Sequence, residues 1–241
     1  MKEISPFVRV SLEMSDKERA KITEIEKKTH GQSSIRLMCL LNNLCTKVNS
    51  KYLEVGVYKG STILAAMFDN PKLEAVGIEH FLYDDREPQK WAPEGYIWDN
   101  VKSQLQANFN KYRSHPEKIN PKNFTLLEGD FREVDIKAKD KFTVCYFDIV
   151  PVSADIYDGF FEKILPTLAK ESVVIFSQQS NSLQAQMLND AFKRHEDKVE
   201  LEFKEYRISN SMSDSKKYYS GIAVCGLKKK AVKNVTKKVS N

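Results

Sequence analysis

The residues best suited to chemistry are four acids that close short apolar runs: Glu54 in KYLEVGV, Glu79 in LEAVGIE, Asp130 in LLEGDF and Asp148 in FTVCYFD. Carboxylates accept hydrogen bonds and attract cations, and the end of a strand is where such a group can meet a ligand. After Glu54 come Gly56, Tyr58 and Gly60, then Ser61 and Thr62. Glycines suit a chain that must turn sharply and let its backbone approach a ligand, and the N–H groups at a helix start favour a carboxylate or phosphate. The segment predicts a nucleotide-type pocket, or, read by itself, an ordinary strand–turn–helix capped at Ser61. It is not a dinucleotide fingerprint, because Gly56 and Gly60 are four apart with Tyr58 between them, and no G-K-[ST] follows to make a Walker A loop. Glu79 lies 23 residues beyond Gly56, a spacing at which a strand-end acid accepts both hydroxyls of a ribose. His80 beside it suits a base or a wall of a nucleotide-type pocket, although a solitary histidine also serves structure.

These groups have to be positioned by elements, and the pattern of the chain supplies them. The first fifty residues read as a helical lead-in. Ser15 is placed to cap a helix over 16–28, and Ser33 or Ser34 to open a second one carrying Ile35, Leu37, Met38, Leu41 and Leu44. From Lys51 onward, short β-rich runs alternate with helices predicted near 61–68, 98–112, 154–168 and 183–194. Such alternation means crossover units and a parallel sheet covered on both faces. Two last runs, VELEFKEYRIS and YYSGIAVCGLK, have no helix between them and read as an antiparallel pair.

This element order, with the acid-glycine segment, resembles the class I S-adenosylmethionine (SAM) methyltransferases. The sequence looks closest to the bacterial small-molecule and sugar O-methyltransferase-like group, macrocin O-methyltransferase-like, in which the segment reads E-[IV]-G-x-x-x-G-[ST]-[ST]. The resemblance implies an α/β, Rossmann-like class I methyltransferase fold: a seven-stranded, mostly parallel sheet with an antiparallel last strand and helices on both faces. It implies SAM as cofactor, with Glu54 taking the methionine ammonium, Gly56, Tyr58, Gly60, Ser61 and Thr62 shaping the turn, and Glu79 and His80 at the ribose. Asp130 would meet the adenine amino group and Phe131 would line the ring. Asp148 is implied to face the methyl group, where it touches substrate as the catalytic candidate or binds the ammonium.

The sequence departs from the family pattern in three places. Tyr58 stands at the middle glycine, Ile149-Val150 replace a glycine turn after Asp148, and Ser177-Gln178-Gln179 follow SVVIF where metal-dependent relatives carry carboxylates. Neutral amides are poor Mg²⁺ anchors, so no catalytic metal is expected, and no general base is identified. The aromatics Tyr83, Trp91, Tyr96 and Trp98 in the long segment before the third strand suit either a substrate wall or a self-packed surface loop.

Composition bounds the rest. The 241 residues, 41% hydrophobic and 29% charged, suit one large globular domain, divided here into a lead-in over 1–50, a methyltransferase domain over 51–227 and a lysine-rich disordered tail over 228–241. That tail holds six lysines and no acid, so the net charge of +5 falls to −1 for residues 1–227. A nucleic-acid partner is therefore not expected of the folded part, and no N/D-P-P-[YF] motif of amino-methylating enzymes occurs. A nucleic-acid methyltransferase using the tail, and a SAM-binding module without catalysis, remain as alternatives to an enzyme acting on a small-molecule acceptor. Cys39, Cys45, Cys145 and Cys225 are scattered in apolar contexts and read as reduced core residues. No run approaches the roughly 20 residues of a membrane span, which together with the absence of a secretory signal predicts a cytoplasmic protein. Homo-oligomer formation is left open.

Overall fold

A computed structural model of the chain describes residues 3–22, 29, 33–81, 101–137, 141–150, 152–179, 181–208, 218 and 221–230. The first helix, α1, spans Pro6–Asp16 and lies earlier than expected. Ser5 caps it by accepting a hydrogen bond from the Val8 N–H, and Pro6 occupies the first turn, where a missing N–H does no harm. Ser15 is not a cap. It sits in the last turn of α1, where its hydroxyl donates back to the Leu12 carbonyl. Residues 23–28 of the expected helix lie outside the described residues. The second helix, α2, spans Ile35–Leu44 with Ser34 as its cap, as predicted.

Seven strands follow: β1 Lys51–Val55, β2 Glu74–Glu79, β3 Phe124–Glu128, β4 Phe142–Phe147, β5 Leu168–Phe176, β6 Val199–Arg207 and β7 Ile222–Lys229. They form one sheet in the order β3-β2-β1-β4-β5-β7-β6, in which β7 alone runs antiparallel and inserts between β5 and β6. This is the predicted α/β, mostly parallel architecture. Helix α3, Ser61–Met67, follows β1 and helix α4, Val101–Asn110, precedes β3. Helix α5, Ala154–Gly159, continues as a π-turn over Phe160–Ile164 and a 3₁₀ turn over Leu165–Thr167. Pro166 ends the predicted helix there, because proline supplies no N–H and blocks the preceding turn, so β5 begins at Leu168. Helix α6 spans Ser182–Arg194.

Side chains alternate between the two faces of each strand, and each face has its own core. One contains Tyr52, Val144, Tyr146, Ile175 and Val224, closed by Val8, Leu12, Leu40, Leu41, Ile63 and Leu105 from α1 to α4. The other contains Leu53, Val55, Cys145, Phe147 and Phe176, closed by Tyr157, Phe160 and Phe161 and by Leu188 and Ala191 of α6. Residues of the first fifty thus share a core with the sheet. Strand β7 runs beyond the expected boundary at Leu227: Lys229 pairs with Val199 of β6, and its ammonium donates to the carbonyls of Pro166 and Leu168. Residues 231–241 of the expected tail lie outside the described residues. All four cysteines are buried thiols. Among the described residues no helix is long and apolar enough to cross a membrane.

Candidate functional site

The sheet order reverses between β1 and β4, and in open α/β sheets a ligand crevice forms at such a switch point, beyond the carboxyl ends of the strands. Gly56 makes the turn there with φ +89°. A Cβ at Gly56 would lie 1.9 Å from the Asp148 carbonyl oxygen, so the ends of β1 and β4 approach more closely than any side chain allows. Gly60, φ +81°, closes the turn beneath Leu105 of α4. Tyr58, at the position of the missing middle glycine, keeps a glycine-like conformation at φ +51°, for which an L-residue sacrifices about 1–2 kcal/mol.

Three of the four acids converge on the sheet face covered by α1 to α4. Glu54 is completely buried: Tyr52 donates to its Oε2 at 2.5 Å and Thr62 to its Oε1 at 2.6 Å. Loss of water pushes its carboxyl up to about 8, against the two hydroxyl hydrogen bonds, and the nearby charges of Asp148 and Glu79 push the same way. Both Glu54 oxygens thus accept hydroxyl hydrogen bonds within the buried site, at the position where the resemblance implies the methionine ammonium. Thr62 is committed to the same contact, and Ser61 is buried beside it. Glu79, also buried, accepts the Tyr58 N–H at Oε2 (2.8 Å) and the Phe81 N–H at Oε1 (3.1 Å), which ties the glycine turn to the end of β2.

Asp148 is half-buried just past β4. Tyr146 donates to its Oδ2 at 2.9 Å and Ser177 to its Oδ1 at 2.5 Å. Burial raises its carboxyl, while the hydrogen bonds from Ser177, Tyr146 and Gln178 oppose that rise. Sequence reading missed Tyr52, Tyr146 and Ser177 as partners of the acids. The available signal was period two: Tyr52-x-Glu54 and Tyr146-x-Asp148 each place a phenol and a carboxylate on one strand face, and the register sets Tyr146 directly beside Glu54.

On the side expected to hold adenine, Asp130 and Phe131 have partners within the chain. Asp130 is clamped by Arg132, whose Nε donates to Oδ1 at 2.9 Å and to Oδ2 at 3.1 Å, and whose backbone N–H donates to Oδ1 at 2.8 Å. These contacts, with a smaller contribution from nearby His80, hold the Asp130 carboxyl below its usual range. Phe131 is 4% exposed and packs edge-on against Phe147, with ring centroids 5.3 Å apart. Phe81 follows His80 at φ +51°, at the end of the described segment. Tyr83, Trp91, Tyr96 and Trp98 fall outside the described residues. Among the described residues no group of three or more His, Cys, Asp or Glu side chains is arranged to hold a metal ion.

No protein-family model and no curated protein sequence matches the chain. Solved structures do match over nearly its whole length. The SAH-bound methyltransferase PaMTH1 of Podospora anserina is 14% identical, covers 95% of this chain and 89% of its own, and superposes with a TM-score of 0.52. TYW2 of M. jannaschii, determined in complex with AdoMet, is 13% identical, covers 86% and 81%, and has a TM-score of 0.53. A putative O-methyltransferase from Nostoc punctiforme is 13% identical, covers 92% and 69%, and has a TM-score of 0.51. The fold is thus the Rossmann-like methyltransferase fold, with β7 in its characteristic antiparallel place.

Proposed function

We propose that this protein binds SAM and catalyses methyl transfer to an oxygen of a small molecule or sugar, without a catalytic metal. The observation that carries the reading is the convergence of Glu54, Glu79 and Asp148 around the Gly56 turn at the switch point. Three carboxyl groups in one poorly solvated place are costly to ionise together, and a ligand bearing a sulfonium and an ammonium supplies positive charge that favours their ionised forms. The likeness to structures that hold AdoMet or SAH supports the same cofactor here. The putative O-methyltransferase among them supports an oxygen acceptor.

The cofactor, when bound, supplies an electrophilic methyl group. Each oxygen of Glu79 already accepts one backbone N–H and keeps a lone pair for a ribose hydroxyl. Asp148, half-buried past the end of β4, is held by Tyr146 and Ser177, and its remaining lone pairs would serve either the ammonium or the acceptor hydroxyl. Direct displacement asks the protein mainly for proximity and alignment, with a proton acceptor where the nucleophile is a hydroxyl.

Calorimetry with S-adenosylhomocysteine tests the reading: the wild type binds, and Glu79→Ala weakens binding at least tenfold. A wild type without binding, or a Glu79→Ala variant that binds equally well, overturns it. Ser177 and Gln178, neutral groups beside Asp148, favour a second reading in which the protein binds the cofactor without turnover. Transfer of a labelled methyl group to any hydroxylated acceptor excludes that alternative.

A further inference from the structure

The turn that follows β5 is braced by one side chain. Gln179 is 1% exposed. Its Nε2 donates to the Ser177 carbonyl and to the Tyr157 hydroxyl, each at 2.7 Å, and its backbone N–H donates to the Gly221 carbonyl at 3.1 Å. Three parts of the fold thus meet at one residue: the end of β5, helix α5 and the lead into β7. Tyr157 is itself fixed in the core against Phe176, with ring centroids 6.0 Å apart. The amide has one orientation here, because exchanging its two ends would set its oxygen 2.7 Å from the Ser177 carbonyl oxygen.

Folding alone does not explain this arrangement. Gln179 Oε1 is buried with no hydrogen-bond partner among the described residues, and an unsatisfied buried acceptor is destabilising. Gln178, between the two bonded residues, holds φ +60°, a left-handed conformation that a non-glycine residue keeps only where its surroundings impose it. Both penalties fall beside Asp148. Ser177 donates to Asp148 Oδ1 at 2.5 Å, and Gln178 donates to the same carboxylate. A hydroxyl rotates toward any acceptor in reach, so its aim depends on how its own backbone is held. The Ser177 N–H is bonded to the Phe147 carbonyl and the Ser177 carbonyl to Gln179, which fixes the residue from both sides.

We infer that Gln179 is a positioning residue for Asp148: its amide fixes the turn after β5 so that Ser177 and Gln178 present their donors to that carboxylate. Two neutral donors then face Asp148 from the turn at which metal-dependent relatives carry carboxylates. Donated hydrogen bonds favour the ionised form of a carboxyl group, which is the form that meets an ammonium or takes a proton from a hydroxyl. The place of Gln179 in methyl transfer rests on the proposed SAM site, whereas its hold on Asp148 does not.

Titration of the full chain with isotope-labelled aspartate, followed by carboxyl-carbon NMR without cofactor, tests this; the Asp148 resonance is the one lost in Asp148→Asn. The other groups that bear on Asp148 are Tyr146, Glu54 and Glu79, and they are the same in every variant compared. Gln179→Met keeps the bulk of the side chain and removes its donors. The Asp148 midpoint should move up by about half a pH unit or more, as it should in Ser177→Ala. In the Ser177→Ala background, Gln179→Met should add less than about half of its separate effect, because the two residues act in series. If Gln179→Met loses the wild-type circular dichroism, Gln179→Asn, one methylene too short to reach both partners, replaces it. An Asp148 midpoint indifferent to the amide, or full additivity with Ser177→Ala, overturns the proposal, and neither result depends on whether the wild type binds S-adenosylhomocysteine.

Discussion

Glu54→Gln isolates the consequence of burying a carboxyl among phenol, hydroxyl and two further acids. In the wild type this group moves from the model-peptide value of 4.5 in the unfolded chain to about 8 in the fold. Because the folded value is raised, the stability it contributes is fully present below 4.5 and is lost as pH rises through about 8. Between pH 5.5 and 7.5 the unfolded chain has released the proton while the folded one retains most of it, so the linkage slope of about 1.4 kcal/mol per pH unit yields a loss on the order of 2–3 kcal/mol. Glutamine has nearly the same shape and does not titrate, so it removes that slope and leaves the contribution of every other group in place. Urea unfolding at pH 5.5 and 7.5, followed by circular dichroism, should show the wild type losing on the order of 2–3 kcal/mol more than the variant across that interval. Parallel pH profiles for the two proteins would refute the placement of Glu54 in a closed, dehydrated site.

If the cluster receives a cationic ligand, binding favours ionised Glu54, and calorimetry with SAM in two buffers of different ionisation enthalpy at pH 7 should report close to one proton released per site; no release counts against the electrostatic role of the cluster. Gly56→Ala places a methyl group 1.9 Å from the Asp148 carbonyl at positive φ, so we expect destabilisation by more than about 3 kcal/mol in chemical unfolding, with loss of S-adenosylhomocysteine binding. The four buried thiols, of which Cys45 and Cys145 are pushed well above their usual range by burial and by Glu54, should resist a thiol-reactive chromophore in the native protein and react completely in denaturant.

Much of the fold was legible in the chain. The alternation of β-rich runs with helices and a final pair of runs with no helix between them were enough for a mostly parallel sheet with a terminal antiparallel pair, because strand alternation and crossover length are local properties; the insertion of the last strand between two others came from the family resemblance. Element ends were less legible. Ser15 has the chemistry of a cap, but so does Ser5, and Pro6 decided between them. Pro166 shortened α5 for the same kind of reason.

The candidate site divides similarly. Residue type and spacing by themselves determined that acids stand at the ends of β1, β2 and β4 and that a glycine turn lies among them. Only the tertiary structure decided what surrounds each acid. Glu54 and Glu79 close neighbouring parallel strands, yet one is sealed against Tyr52 and Thr62 while the other bonds the turn itself. Asp130 is taken up by Arg132 and Phe131 by the core. The covering helices and the cross-strand register control access to water and to partners, and these come from residues distant in the chain. A carboxylate's chemistry is written in its side chain, but its proton affinity and its freedom to meet a ligand are set by the packing around it.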